Sequence, residues 1–325
     1  MNTALAQIRK PIEAELARYR ELFVDVLQHP DEYLGSALAY VGKRQGKMMR
    51  PILVLLVARE VGEVSEASLR AAVTLELLHT ASLVHDDVVD ESNRRRGQAS
   101  VNAVFDNKVA VLVGDYLLSS SLHQAALTGS LRCVELIAEL GRTLSEGEVF
   151  QLSNIRNEAL SEEAYFRIIR GKTAALFSTC AELGAITAGA DDALVQAARS
   201  FGENVGVCFQ IRDDIFDYYE DTCIGKPTGN DMREGKLTLP VLHALDRAGD
   251  EEMLALARCV KAHEATDEEI ARLVAFTKTQ GGIEYAQRMM ERFRDAATRD
   301  LEAFSESQVC KSLQDYLAFV IGREI

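Results

Sequence analysis

Residues 52 to 226 contain no proline, although the 325-residue chain has five. Apolar residues in that stretch recur at intervals of three and four rather than two. The pattern predicts one helix after another, with no proline to break them. The N-terminal segment carries the same period in Ile12, Leu16, Tyr19, Phe23 and Val26. Apolar residues make up 47% of the chain, enough for a sizeable core. No low-complexity linker, short repeat or composition break divides it. The expectation is a single all-α domain over residues 1–325.

Within this helical frame one acidic pattern occurs twice. Asp86-Asp87-Val88-Val89-Asp90 recurs as Asp213-Asp214-Ile215-Phe216-Asp217. On a helix, positions i, i+1 and i+4 lie broadly on one side, so each copy is expected to aim three carboxylates at a common point. Like charges at about 4 Å repel by roughly 4 kcal/mol at an effective dielectric near 20. Convergence therefore calls for a cation. Oxygen donors of this kind suit Mg²⁺, which takes carboxylates together with phosphate oxygens and retained waters. One turn before the acids stand Ser82 and Phe209, neither a usual solvent-facing choice. Both copies are thus expected to face a polar-mouthed cavity.

The net charge of −14, from 36 basic and 50 acidic residues, argues against a nucleic-acid partner and a constitutively basic membrane face. The N-terminus shows no signal-peptide core and no apolar run reaches spanning length, so the expected location is the cytoplasm. Cys133, Cys180, Cys208, Cys223, Cys259 and Cys310 have no zinc-like spacing and read as reduced thiols. Residues 218 to 240 read as a loop, punctuated by Gly225, Pro227, Gly229, Asn230 and Gly235. They carry Lys226, Arg233 and Lys236 and read as a mobile lid over an anionic ligand. Further cations stand in Gly46-Lys47-Met48-Met49-Arg50-Pro51, Asn93-Arg94-Arg95-Arg96-Gly97 and Gly171-Lys172-Thr173. Arginine forks and lysine point charges both suit phosphate.

These motifs, with Glu76 through Asp90 and Gln210 through Asp217, resemble those of the trans-polyprenyl diphosphate synthases over roughly residues 40 to 245. The resemblance extends to long-chain, octaprenyl diphosphate synthase-like members. It implies an isoprenoid synthase-type helical bundle around a deep central cavity, a homodimer, and about three Mg²⁺ per active site. It also implies a reaction in which an allylic diphosphate ionises, isopentenyl diphosphate attacks the cation, and proton loss leaves a longer chain. By that resemblance Asp86, Asp87 and Asp90 hold one side of the metal cluster, and Asp213, Asp214 and Asp217 the other. Arg95, Lys172, Lys236 and the lid residue Lys226 match contacts to the allylic diphosphate. Lys47, Arg50, His79 and Arg96 match the isopentenyl diphosphate pocket, and Thr173 and Gln210 match positions near the developing cation. Met48 and Met49 stand where many relatives carry a further basic residue. His85 reads as structural.

Product length in this family follows cavity depth below the first acidic motif. The gate positions are Ala81 and Ser82, both small, which favours a long product of the octaprenyl type, a precursor of quinone side chains, grown from farnesyl diphosphate. The floor is then expected deeper, among Tyr116, Ser119, Leu122 and His123. At about 0.8 kcal/mol per buried CH₂, such a product would bind tightly and call for transient membrane contact on release. The alternatives are a farnesyl or geranylgeranyl diphosphate synthase on the same scaffold and a non-catalytic subunit of a heteromeric synthase. Such subunits typically lose acidic-motif residues, which are intact here. A terpene cyclase is less favoured, because its second metal motif usually mixes Asn, Ser and Glu.

Overall fold

The computed structural model describes residues 3–43, 46–95, 97–155, 160–219 and 228–322. Chain order gives α1 (Thr3–Arg9), α2 (Glu13–Val26), α3 (Glu32–Gly42), α4 (Met49–Val61) and α5 (Glu66–Val89). A small hairpin, β1 (Arg94–Arg95) with β2 (Gln98–Ala99), precedes α6 (Val101–Phe105), α7 (Asn107–Leu127) and α8 (Leu131–Ile155). Next come α9 (Glu162–Ile169), a π-helical turn at Arg170–Ala174, α10 (Ala175–Thr187) and α11 (Asp192–Phe216). The remainder is α12 (Asn230–Arg233), α13 (Leu239–Ala248), α14 (Glu251–Lys261), α15 (Asp267–Thr279), α16 (Gly282–Asp300) and α17 (Gln308–Ile321). The all-α expectation holds. Three prolines fall where helices begin: Pro11 in a 3₁₀ turn ahead of α2, Pro51 in the first turn of α4, and Pro240 as the second residue of α13. At such positions the missing N–H costs nothing.

The chain clusters into two compact units. The first comprises residues 1–141, 179–199 and 301–316; the second comprises 142–178, 200–300 and 317–325. In the first unit α4 is apolar all round, and Ile52 through Ala58 are completely buried. A helix of that kind belongs inside a core. The apolar face of α2 packs with it through Ile12, Leu16, Tyr19 and Phe23, the period read from the sequence. Helix α5 starts at a capping box formed by Ser65 and Ser68 and packs most extensively against α7. Its 24 residues bring the first acidic motif to its C-terminal end.

In the second unit, Val207, Ile211 and Ile215 on α11 share a core with Tyr165, Leu239, Leu245, Ile270 and Leu273. This places one face of α11 inside and leaves the acidic turn at its end. Gly206 permits the close approach of α11 to the π turn, because a Cβ there would collide with Ala174 Cα. Gly147 on α8 and Gly171 in the π turn touch backbone to backbone in the same way. Lys172 and Thr173 follow directly. A π turn re-aims the side chains it contains relative to a regular helix, and such turns are frequent at functional sites.

Candidate active site

The first acidic motif occupies the last turn of α5. Asp86 is half-buried, Asp87 is 2% exposed, and Asp90 is exposed as the C-cap residue, its N–H donating to Asp86 O at 2.8 Å. The three carboxylates differ sharply in exposure. Position i+1 is rotated about 100° from i, which carries Asp87 towards the interior. There Arg95 Nε donates to Asp87 Oδ1 at 2.7 Å. A buried carboxylate needs such a partner.

The hairpin supplies it. Gly97 turns with φ 77, Tyr40 Oη donates to Ala99 O at 2.8 Å, and Ser100 Oγ donates to Ser92 O at 2.7 Å. A two-residue strand leaves no alternation in the sequence, so the pairing of Arg95 with Asp87 was not legible there. His79, Asp87 and Arg95 line a cleft of about 250 Å³ with Gly46, Glu76 and Gln98. Lys47 is exposed and Arg50 half-buried, at the start of α4. Arg96 lies outside the described residues.

The expected gate is also on α5. Ser82 is half-buried, and its hydroxyl donates to His79 O at 2.9 Å, which satisfies it within its own helix. Ala81 is buried, one turn from Leu77 and on the core side of a helix with no irregularity. On α7, Ser119, Leu122 and His123 are exposed and Tyr116 is half-buried against the His29 ring. These three exposed residues do not form the floor of a cavity within this chain. The inward side of α7 is Val113, Leu117 and Ser121, the last donating to Thr74 O at 2.9 Å. His85 packs against Gly114, with Nε2 3.1 Å from Val111 O and 3.4 Å from Asp115 Oδ1.

The second motif repeats the helix geometry with different partners. Asp213 is exposed, Asp214 is 3% exposed, and Asp217 is half-buried. Asp214 accepts from Tyr165 Oη at 2.6 Å and from Gln210 Nε2 at 2.8 Å. Thr173 Oγ1 donates to Gln210 Oε1 at 2.7 Å, which orients that amide. Burial, then the charge of Asp231, push the Asp214 carboxyl well above the usual carboxylate range; Asp213 adds to this and the two hydrogen bonds oppose it. Burial and the Asp214 charge push the Tyr165 phenol up in turn.

Asp217 organises the segment that follows. Its Oδ1 accepts from the Asn230 N–H at 3.0 Å and from Nδ2 at 3.1 Å, and its Oδ2 accepts from the Asp231 N–H at 3.0 Å. The segment read as a loop therefore contains a helical turn, α12, built on Asp217. Arg233, expected over an anion, is exposed and bonds Asp267 Oδ1 at 2.8 Å and Thr228 O at 2.7 Å. Lys226 lies outside the described residues. Lys236 Nζ pairs with Glu234 at 2.6 Å, and Lys172 Nζ pairs with Glu148 and bonds Gln151 Oε1 at 3.2 Å.

Lys172, Thr173, Gln210, Asp214 and Lys236 line one cavity of about 180 Å³. Tyr165 and Asp231 line it too, and sequence reasoning passed over both. Asp231 follows the loop glycines and so carried a faint signal; Tyr165, far away in sequence, carried none. The donor chemistry fits a hard cation. Burial and then the acidic neighbours disfavour the Asp214 carboxylate, and a divalent ion would oppose that effect. Among the described residues no group of three or more His, Cys, Asp or Glu side chains lies close enough to hold a metal ion. No described helix is long and apolar enough to cross a membrane.

The chain matches the polyprenyl synthetase family over residues 31–277. It is 34% identical to the octaprenyl diphosphate synthase of Haemophilus influenzae over 311 residues, 95% of this chain and 94% of that protein. A decaprenyl diphosphate synthase from Rhodobacter capsulatus superposes with a TM-score of 0.92 at 36% identity, covering 98% of this chain and 100% of that one. A geranylgeranyl pyrophosphate synthase from Bacteroides thetaiotaomicron superposes with a TM-score of 0.87 at 49% identity, covering 99% and 100%. The chain belongs to the polyprenyl synthetase family and is a prenyltransferase of the polyprenyl diphosphate synthase type.

Proposed function

We propose that this enzyme extends an allylic diphosphate, farnesyl diphosphate in the first instance, by successive additions of isopentenyl diphosphate to a long all-trans product of the octaprenyl type, destined for quinone side chains. The observation that carries the long product is the turn before the first acidic motif. Ser82 has its hydroxyl folded back onto its own helix, and Ala81 is flush with the core. Neither obstructs a growing chain as a large aromatic would. The octaprenyl and decaprenyl synthase relatives support the same reading. The family match spans both compact units, which supports treating residues 1–325 as one functional domain.

In this reading Asp86, Asp87, Asp90, Asp213, Asp214 and Asp217 serve Mg²⁺ binding. Mg²⁺ completes its shell with water and substrate oxygens, so few side chains from one turn suffice. When bound, the metal would draw charge from the leaving diphosphate. Arg95, Lys172, Lys226 and Lys236 neutralise the remaining charge on the allylic diphosphate, and Lys47, Arg50, His79 and Arg96 hold isopentenyl diphosphate. Thr173 and Gln210, locked in one orientation, present fixed dipoles to the allylic cation. The enzyme acts as a homodimer in the cytoplasm. The exposed Val111, Leu112, Leu122 and Leu127 on α7 supply an apolar face for a second copy. Unpaired thiols at Cys133, Cys180, Cys208 and Cys310 suit a reducing compartment.

The 49% identity to a geranylgeranyl pyrophosphate synthase favours a second reading, the same chemistry with a shorter product. Incubation of the purified protein with farnesyl diphosphate, labelled isopentenyl diphosphate and Mg²⁺, followed by product sizing, separates them. A long-chain endpoint is expected. A geranylgeranyl endpoint would move the enzyme to the second reading, and no elongation would remove both.

A further inference from the structure

The segment that carries Lys47 into the first turn of α4, where Arg50 stands, has three consecutive carbonyls engaged, two of them by side chains from the ends of the chain. Lys47 O accepts from Arg9 Nη2 at 2.6 Å. Met48 O accepts from the Ile52 N–H at 3.1 Å, the first turn of α4. Met49 O accepts from the buried Tyr316 Oη at 2.9 Å. Between the two outer bonds Met48 adopts a left-handed backbone, φ 55 and ψ 37, and offers no side-chain cap to α4. A non-glycine residue keeps such a conformation where its surroundings over-determine it.

We propose that Arg9 and Tyr316 are positioning residues of the isopentenyl diphosphate site, clamping the backbone of residues 47–49 so that Lys47 and Arg50 start from a set origin. This rests on the reading of Lys47 and Arg50 given above. Docking of α1 does not require the arginine, because Leu5 and Ile8 are already buried there. The Arg9 Nε is moreover buried without a hydrogen-bond partner among the described residues, an unfavourable placement for a guanidinium. The Nη2 contact to Lys47 O is the interaction that placement secures. Tyr316 is wholly buried on α17, and its one polar atom goes to the loop. Small displacements of phosphate-binding groups have large effects on binding, and a rigid supporting shell prevents them.

The test is steady-state kinetics of Arg9→Gln and Tyr316→Phe, varying each substrate with the other saturating, alongside thermal melts. The expected result is a rise of about three- to tenfold in KM for isopentenyl diphosphate in each variant, as for one lost hydrogen bond. KM for the allylic diphosphate, kcat and the melting temperature should stay nearly unchanged, and Arg9→Lys should recover part of the loss. An unchanged KM for isopentenyl diphosphate, or equal rises in both KM values with a lowered melting temperature, would overturn the proposal. Arg9→Gln keeps the test decisive if Tyr316→Phe folds poorly. Lys47→Ala and Arg50→Ala separate two failures. If they raise this KM while the Arg9 and Tyr316 variants do not, only the positioning role fails. If they too leave it unchanged, the loop is not the diphosphate site, and the underlying reading fails with it.

Discussion

The acidic turn of α5 and that of α11 share a sequence pattern but not an electrostatic solution. In both, the second acid of the adjacent pair is the buried one, because a step of one residue swings it inward. Asp87 meets the guanidinium of Arg95. Asp214 meets a phenol and an amide, with Asp213 and Asp231 adding negative charge nearby. The first turn thus balances its buried charge from within the protein, and the second gains most from an added cation or a proton. A repeated motif specifies where carboxylates stand on a helix; the neighbours specify what each carboxylate does.

The largest test of that contrast is catalytic. Asp86→Ala and Asp213→Ala should each lower kcat by about a thousandfold if both turns serve metal-assisted ionisation, measured by labelled isopentenyl diphosphate incorporation at saturating Mg²⁺. A variant that keeps most of its activity would remove its turn from the metal site.

Product length should then distinguish the turns. Ser82→Tyr, and Ala81→Tyr with it, should shorten the product by several isoprene units. Phe209→Ala, at the corresponding place before the second motif and packed on Phe177, should leave the distribution unchanged. Unchanged products in the first two would place the floor elsewhere.

Stability comes next. Arg95→Ala leaves Asp87 buried and unpaired and should cost about 3 kcal/mol or somewhat less, since Arg95 is itself 32% exposed. Tyr165→Phe removes one hydrogen bond from Asp214 and should cost about 1 kcal/mol. Urea unfolding of the metal-free protein would show the order, and the reverse order would break the contrast.

The smallest effect is a pH dependence confined to the second turn. The folded-state pKa of Asp214 is raised, so the native state binds its proton more tightly than the unfolded chain does. That contribution is fully present below the ordinary carboxylate range and is lost as pH rises through the raised value. Melting temperatures of the metal-free protein should show this decline, and Asp214→Asn should flatten it. Mg²⁺ should restore more stability at pH 8 than at pH 5. An identical profile for Asp214→Asn would show that burial is relieved in solution.

Much of the site was readable from residue order. The helical period, the two acidic motifs carried on helices, and the cations on either side follow from periodicity and local spacing. The Arg95 hairpin was not readable, because two-residue strands leave no period. Arg233 read as one of the cations of a lid and instead holds Asp267. Ser119, Leu122 and His123 read as a cavity floor and are exposed, because a helix with apolar residues on several sides does not announce which side faces in.

By itself the sequence determined an all-helical chain, two acidic motifs carried on helices, and the family to which they belong. These depend on backbone geometry over a few residues, where i, i+1 and i+4 have the same relation in any helix. Only the tertiary structure decided that Asp87 takes Arg95, that Asp214 takes Tyr165 and Gln210, that Asp217 builds α12, and that Arg9 and Tyr316 reach the Lys47 loop. Those choices depend on which groups lose water together, and burial is a property of packing between segments far apart in the chain.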